Sequence, residues 1–178
     1  QLSPNASSVL IGLGLKSSLE ACAIAPDAVS VMSGPRGSEL VRLPLDQSDT
    51  AAPYWVIHRA DLHGVLYDAC VAHPDVTLVN NERVVAYENT ATGAKVVTEK
   101  GSVFEGDAVI GADGVRSKIR EQLTGGDALK LSGHVAYRAV LPIEDMPEDL
   151  RWNAATLWAG PKCHMVHYPL QGWKTFNL

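Results

Sequence analysis

A five-residue apolar run, 108–112, ends in Asp113-Gly114 and passes at once into Val115, Ile119 and Leu123, spaced by four. No other stretch limits the fold so tightly. Apolar residues closed by Asp-Gly and followed by a helical period read as a buried strand, a tight turn and a helix N-terminus. Such a corner points backbone N–H groups and the positive end of a helix dipole at one place, where an anion is stabilised. Gly114 admits close approach of a ligand, while Arg116, Ser117 and Arg120 add donors suited to phosphate. A phosphate or dinucleotide contact satisfies this pattern, and so does an ordinary strand-to-helix corner.

The usual pyrophosphate signature is missing. No Gly-x-Gly-x-x-Gly occurs, nor an acidic residue about twenty positions beyond one. Hydrophobic residues make up 46% and charged residues 20%, enough for a packed core and unlike a disordered chain. A net charge of −5 argues against general affinity for nucleic acid or anionic membranes, and no apolar run is long enough to span a bilayer. Cys22, Cys70 and Cys163 form no Cys-x-x-Cys pair and read as free thiols of a reducing, cytoplasmic compartment.

Along the chain, Pro4 opens a helical stretch that Gly12 and Gly14 weaken, and a short helix is expected around residues 17–23. Residues 29–43 read as two strands around Ser33-Gly34-Pro35-Arg36-Gly37, and residues 46–53 as a polar loop. Residues 59–72 make an amphipathic helix, with Leu62, Val65, Leu66 and Ala69 on one face. Strands at 76–87 and 94–98 lead through a turn at Lys100-Gly101-Ser102 into the strand before Asp113. After the loop beginning at Thr124, strands are expected at 135–141, 155–158 and 165–168, with an acidic connector at 142–151. The class is therefore α/β of the mixed, α+β kind, divided into residues 1–125 and 126–178.

Five blocks now fall into register with one family. Residues 107–120 resemble the Asp-Gly fingerprint of the single-component, FAD-dependent aromatic hydroxylases. Gln1-Leu-Ser-Pro-Asn5-Ala resembles the loop and helix start after that family's first dinucleotide-binding unit, and Val56-Ile-His-Arg59-Ala-Asp-Leu62 its flavin-contacting Arg-x-x-Leu helix. Gly133-His-Val-Ala-Tyr137-Arg138, and Ala155-Thr-Leu-Trp158 through His167-Tyr-Pro169, resemble its substrate-domain strands. The nearest subgroup is similar to salicylate and hydroxybenzoate hydroxylases. The resemblance implies a partial FAD-binding, Rossmann-like domain with a β-meander in residues 1–125, and the start of a β-rich substrate domain in 126–178. It also implies an internal stretch of a longer enzyme, because the first glycine-rich unit and the second flavin motif have no counterpart here.

In that family NAD(P)H reduces FAD, O₂ adds to give a flavin C4a-hydroperoxide, and its distal oxygen attacks a phenolic ring. The implied cofactor-binding residues are Asn5, Arg59, Asp113, Gly114, Ser117 and Arg120. The implied substrate-site residues are His167, Tyr137 and Arg138. The implied partners are a small aromatic substrate and O₂, with a homodimer as one option. Each residue keeps a plainer alternative. Arg59 could pair with Asp61 or Glu105, Asp113 could cap the following helix, and Arg120 could pair with Glu121 or Glu105. Arg138 could stabilise its sheet against an acidic group, and His167 could be a buried structural histidine. Period-two alternation puts His164 on the opposite face from Cys163 and His167, so the three do not converge on a metal. A non-oxygenating flavoprotein and a non-catalytic remnant stand as the alternative functions.

Overall fold

Pro4 occupies the first turn of α1 (Pro4–Gly12), where its missing N–H is no loss, with Ser3 as the capping residue. In the computed structural model, which describes all residues except 46–47, 49–51 and 127–128, the chain divides into two units. One is Gln1–Val76 with Ala136–Leu178; the other is Thr77–Val135.

The first unit continues with α2 (Lys16–Glu20), β1 (Ala28–Ser33) and β2 (Glu39–Pro44). The β1–β2 turn is closed by Ser33 and Gly37, whose N–H donates to the Ser33 carbonyl at 2.8 Å. Most of the loop expected at 46–53 lies outside the described residues. Two short bridges, Leu2 with Trp55 and Ile24 with Val56, then lead into α3 (Arg59–Ala72), whose bounds match the sequence pattern. His58 caps α3 by accepting from the Ala60 N–H at 3.3 Å. Leu62, Val65 and Ala69 of α3 pack on a core of Leu15, Leu19, Trp55 and Ile57. Each fully buried leucine there contributes about 1.5–3 kcal/mol.

The second unit is an antiparallel meander of β3 (Val84–Asn89), β4 (Ala94–Thr98) and β5 (Val103–Gly106), followed by α4 (Lys118–Thr124). Gln122 of α4 treats the free edge of β3 as another peptide would. Its amide accepts from the Tyr87 N–H at 3.0 Å and donates to the Tyr87 carbonyl at 2.6 Å. The strand expected at 76–87 is thus confined to its last part. The buried strand expected at 108–112 does not form: those residues have no ladder among the described residues, and Ile110 is 91% exposed. Apolar character alone cannot make a strand where no neighbour offers hydrogen bonds.

The chain returns to the first unit with β6 (Val140–Pro142), β7 (Ala154–Gly160), β8 (Cys163–Leu170) and β9 (Thr175–Asn177). The six strands run β2-β1-β7-β8-β9-β6, antiparallel except for β1 and β7, where Ala28 lies beside Ala154 and Met32 beside Trp158. Register puts Ser30, Met32, Thr156, Trp158, Met165, His167, Pro169 and Phe176 on one face. The other face packs Ala155 and Leu170 against Ile24 and Val56. The strand expected at 135–141 begins only at Val140, with Ala139 paired to Leu178. β9 offers no ladder further back, so Tyr137 stands 94% exposed. The acidic connector forms two 3₁₀ turns.

Candidate functional site

Two strands of one hairpin, β7 and β8, build the polar spot of the aromatic face. His167 is fully buried and ringed by Trp152, Phe176 and Trp158, with centroids 5.8, 6.2 and 6.2 Å away. Among the described residues neither imidazole nitrogen has a hydrogen-bond partner, and the same is true of the enclosed Trp158 Nε1. Trp152, by contrast, donates its Nε1–H to the Thr156 hydroxyl at 2.7 Å. Burial holds the His167 pKa below its ordinary value, so the ring is neutral, with one donor and one acceptor nitrogen. Leaving such groups bare costs about 1–3 kcal/mol each, and native folds tolerate this where a ligand or a catalytic role repays it. A neutral imidazole can accept a proton from a hydroxyl brought to it.

Trp152, Trp158 and Thr156 were not among the expected site residues. The signal was present: in a hairpin, Thr156 and Trp158 alternate on the same face as His167. Tyr137, at 94% exposure, is not brought to His167. Arg138 acts electrostatically on Tyr168, opposing the upward push of burial on that phenol. Tyr168 neighbours His167 in sequence and therefore points to the other face of the sheet.

In the second unit, the Asp-Gly turn is tightly wired. The Asp113 carboxylate accepts from the Ser117 hydroxyl and from the N–H groups of Lys118, at 2.7 Å, and Ile119, at 3.3 Å. These bonds, the Ser117 one foremost, lower the Asp113 pKa. Ser117 accepts in turn from the Arg120 N–H at 2.9 Å. Gly114 has φ of 80°, a left-handed backbone that suits glycine. Gly111 lies so close to α4 that an added Cβ would meet Ile119 at 2.8 Å. Arg120 donates to the Gly114 and Val115 carbonyls, at 3.3 and 2.5 Å, while Glu121 pairs with Lys118 at 2.7 Å. The turn borders a cleft of about 830 Å³ whose lining mixes Arg83, Arg116, Lys118 and Arg120 with Glu82, Glu99, Asp113 and Glu121. The structure thus gathers Asp113, Gly114, Ser117 and Arg120, with the Asp113 carboxylate taking up the first helix N–H groups and the Ser117 hydroxyl, and Arg120 engaged with two carbonyls of the turn.

Asn5 and Arg59 both begin helices of the first unit and are exposed. Asn5 accepts from the Ser3 hydroxyl. The Leu2–Trp55 bridge brings the Gln1 amino group near Arg59, whose charge helps to lower the amine's pKa after burial. Among the described residues no ion pair joins Arg59 to Asp61.

No family model matches this chain. A 3-hydroxybenzoate 6-hydroxylase of Aquipseudomonas alcaligenes is 42% identical over all of the chain and 46% of its own length. The enzyme of that name from Klebsiella oxytoca is also 42% identical, with 45% of its length covered. The chain is homologous to the aromatic-ring hydroxylases. It spans somewhat under half the length of these relatives. A 3-amino-4-hydroxybenzoate 2-monooxygenase of Streptomyces cremeus follows at 35% identity over the whole chain. The fold agrees: a salicylate hydroxylase substrate complex superposes with TM-score 0.76 at 19% identity, over 99% of this chain and 46% of that one. Klebsiella pneumoniae HpxO, complexed with FAD and uric acid, does so with TM-score 0.75 at 20% identity, over 99% and 45%. The resemblance read from the five sequence blocks and the mixed α/β class both hold. Among the described residues no helix is long and apolar enough to cross a membrane.

Proposed function

We propose that the protein carrying this chain is an FAD-dependent, NAD(P)H-consuming monooxygenase that hydroxylates a phenolic, hydroxybenzoate-type ring in the cytoplasm. The observation that carries the proposal is the neutral, enclosed and unpartnered His167 on an aromatic face. The relatives' names support oxygenation over a non-oxygenating flavoprotein. Reduced FAD would supply the activated oxygen from O₂. Residues 1–125 would contribute to holding it: Asp113, Gly114, Ser117 and Arg120 at the phosphate-type cleft, Arg59 and Asn5 at helix starts.

Residues 126–178 would begin the substrate domain. There the acceptor nitrogen of His167 takes the phenol proton, making the ring more electron-rich, a form of base assistance worth about 10²–10⁴ in rate. The tryptophans beside it orient the ring and exclude water. The family resemblance would give Tyr137 and Arg138 parts in substrate binding, the first as a hydroxyl partner and the second for a carboxylate, at positions apart from His167 in this chain.

The test is NADH oxidation by the flavin-loaded protein with 3-hydroxybenzoate, together with product analysis. Stimulated turnover with a dihydroxylated product is expected, and His167→Ala should uncouple it, consuming NADH while releasing hydrogen peroxide. A parent protein that no hydroxybenzoate stimulates would overturn the proposal.

A further inference from the structure

The turn between β8 and β9, residues 171–174, runs through a backbone that most side chains avoid. Gln171, Gly172 and Trp173 follow one another in the left-handed region, with φ of 53°, 63° and 70°. For a glutamine and a tryptophan such backbone persists only where the surroundings over-determine it. Gln171 supplies much of that hold. Its backbone carbonyl accepts from the Lys174 N–H at 3.4 Å, and its side-chain oxygen from the Thr175 hydroxyl at 3.3 Å. Its amide nitrogen leaves the turn and donates to the Asp61 carboxylate at 3.3 Å, 110 positions away in sequence. Trp173 sets its ring edge-on to Phe176, with the centroids 5.8 Å apart. Asp61 stands in the first turn of α3, two residues beyond Arg59, and belongs to the same compact unit as the β8–β9 turn. Both Asp61 and Gln171 are half-buried, where a hydrogen bond to a charged group is screened less than at the open surface.

We infer that Gln171 is a positioning residue for the cofactor: its amide ties the strained turn to the first turn of α3 and so sets where that helix presents Arg59. Gln171 acts only through Asp61. An anion held by Arg59 and the order of the β8–β9 turn then bias one another, because coupling between two sites is reciprocal. This role presupposes Arg59 as an FAD contact of the hydroxylase reading.

The experiment compares the complete protein with Gln171→Gly and with the exchanged pair, Gln171→Glu together with Asp61→Asn. Glycine adopts the left-handed backbone freely, so that variant keeps the turn and loses the amide. The exchanged pair keeps shape and net charge, with an asparagine N–H now donating to a glutamate oxygen. FAD affinity is read by equilibrium dialysis, and hydrogen exchange at the amides of residues 172–175 with and without saturating FAD. In the parent, FAD should slow exchange in the turn about threefold. Gln171→Gly should bind FAD about fivefold more weakly and lose the FAD-dependent slowing, and the exchanged pair should restore both. A merely structural residue would alter exchange in the turn equally with and without FAD. A parent turn that FAD does not slow, slowing that survives in Gln171→Gly, affinity within twofold of the parent's there, or an exchanged pair no better than glycine overturns the positioning role and leaves Arg59 as an FAD contact. A parent that binds no FAD, or whose Arg59→Ala variant binds it equally well, overturns both.

Discussion

His167 stays uncharged inside the fold because the aromatic rings around it replace water, which a cation needs more than a neutral ring does. The linkage follows in sign. On acidification through the ordinary histidine value of 6.5, the unfolded chain binds a proton that the folded one refuses, so stability falls. Above that value the penalty is absent. His167→Phe keeps an aromatic ring and removes the titration. Urea midpoints compared at about pH 8 and pH 5.5 should drop further for the parent than for this variant; equal drops would show that His167 protonates freely. Arg59 carries a second prediction at this scale. A cation at a helix start opposes the dipole and gains from an anionic partner. In the complete protein, Arg59→Ala should cost about 1.5–3 kcal/mol of FAD affinity. Affinity within twofold of the parent would remove Arg59 from the cofactor site.

The Asp-Gly turn and α4 act as one element, since Asp113 satisfies two of the helix's first N–H groups and orients Ser117. Asp113→Ala should loosen this element through loss of its cap, read as faster hydrogen exchange at α4 amides. Asp113→Asn restores a capping oxygen without the charge. If the asparagine variant recovers exchange protection but not FAD binding, the carboxylate has a cofactor role besides its cap. At this scale the sequence was readable wherever the forces were local. α3 was legible from Leu62, Val65 and Ala69, the meander from its glycine turns, and α4 from the spacing of Val115, Ile119 and Leu123. The stretches 108–112 and 135–139 were misleading, because apolar composition says that a strand wants neighbours, not that it has them. The aromatic surroundings of His167 were also out of reach. They depend on hairpin register between β7 and β8 and on Phe176 arriving from β9.

At the scale of the whole chain, surface that reads as interior remains open: Ile110 is 91%, Leu131 99% and Tyr137 94% exposed. Apolar area of this kind invites association. The 178-residue chain expressed by itself should bind a hydrophobic dye and elute as concentration-dependent oligomers. With no Gly-x-Gly-x-x-Gly in its sequence, it should also lack FAD at unit stoichiometry and fail to oxidise NADH. A yellow monomer with full flavin content would show that the cofactor's main contacts had been assigned to the wrong segments. The parallel seam of β1 and β7 joins Ala28 to Ala154, 126 positions apart by subtraction. On the ribosome, at about 5–20 residues per second, β1 would therefore wait roughly 6–25 s for its partner to be synthesised. Through that interval β1 has only β2 for company and its inner edge is bare, and a chaperone gripping the nascent hairpin would meet its longest opportunity there.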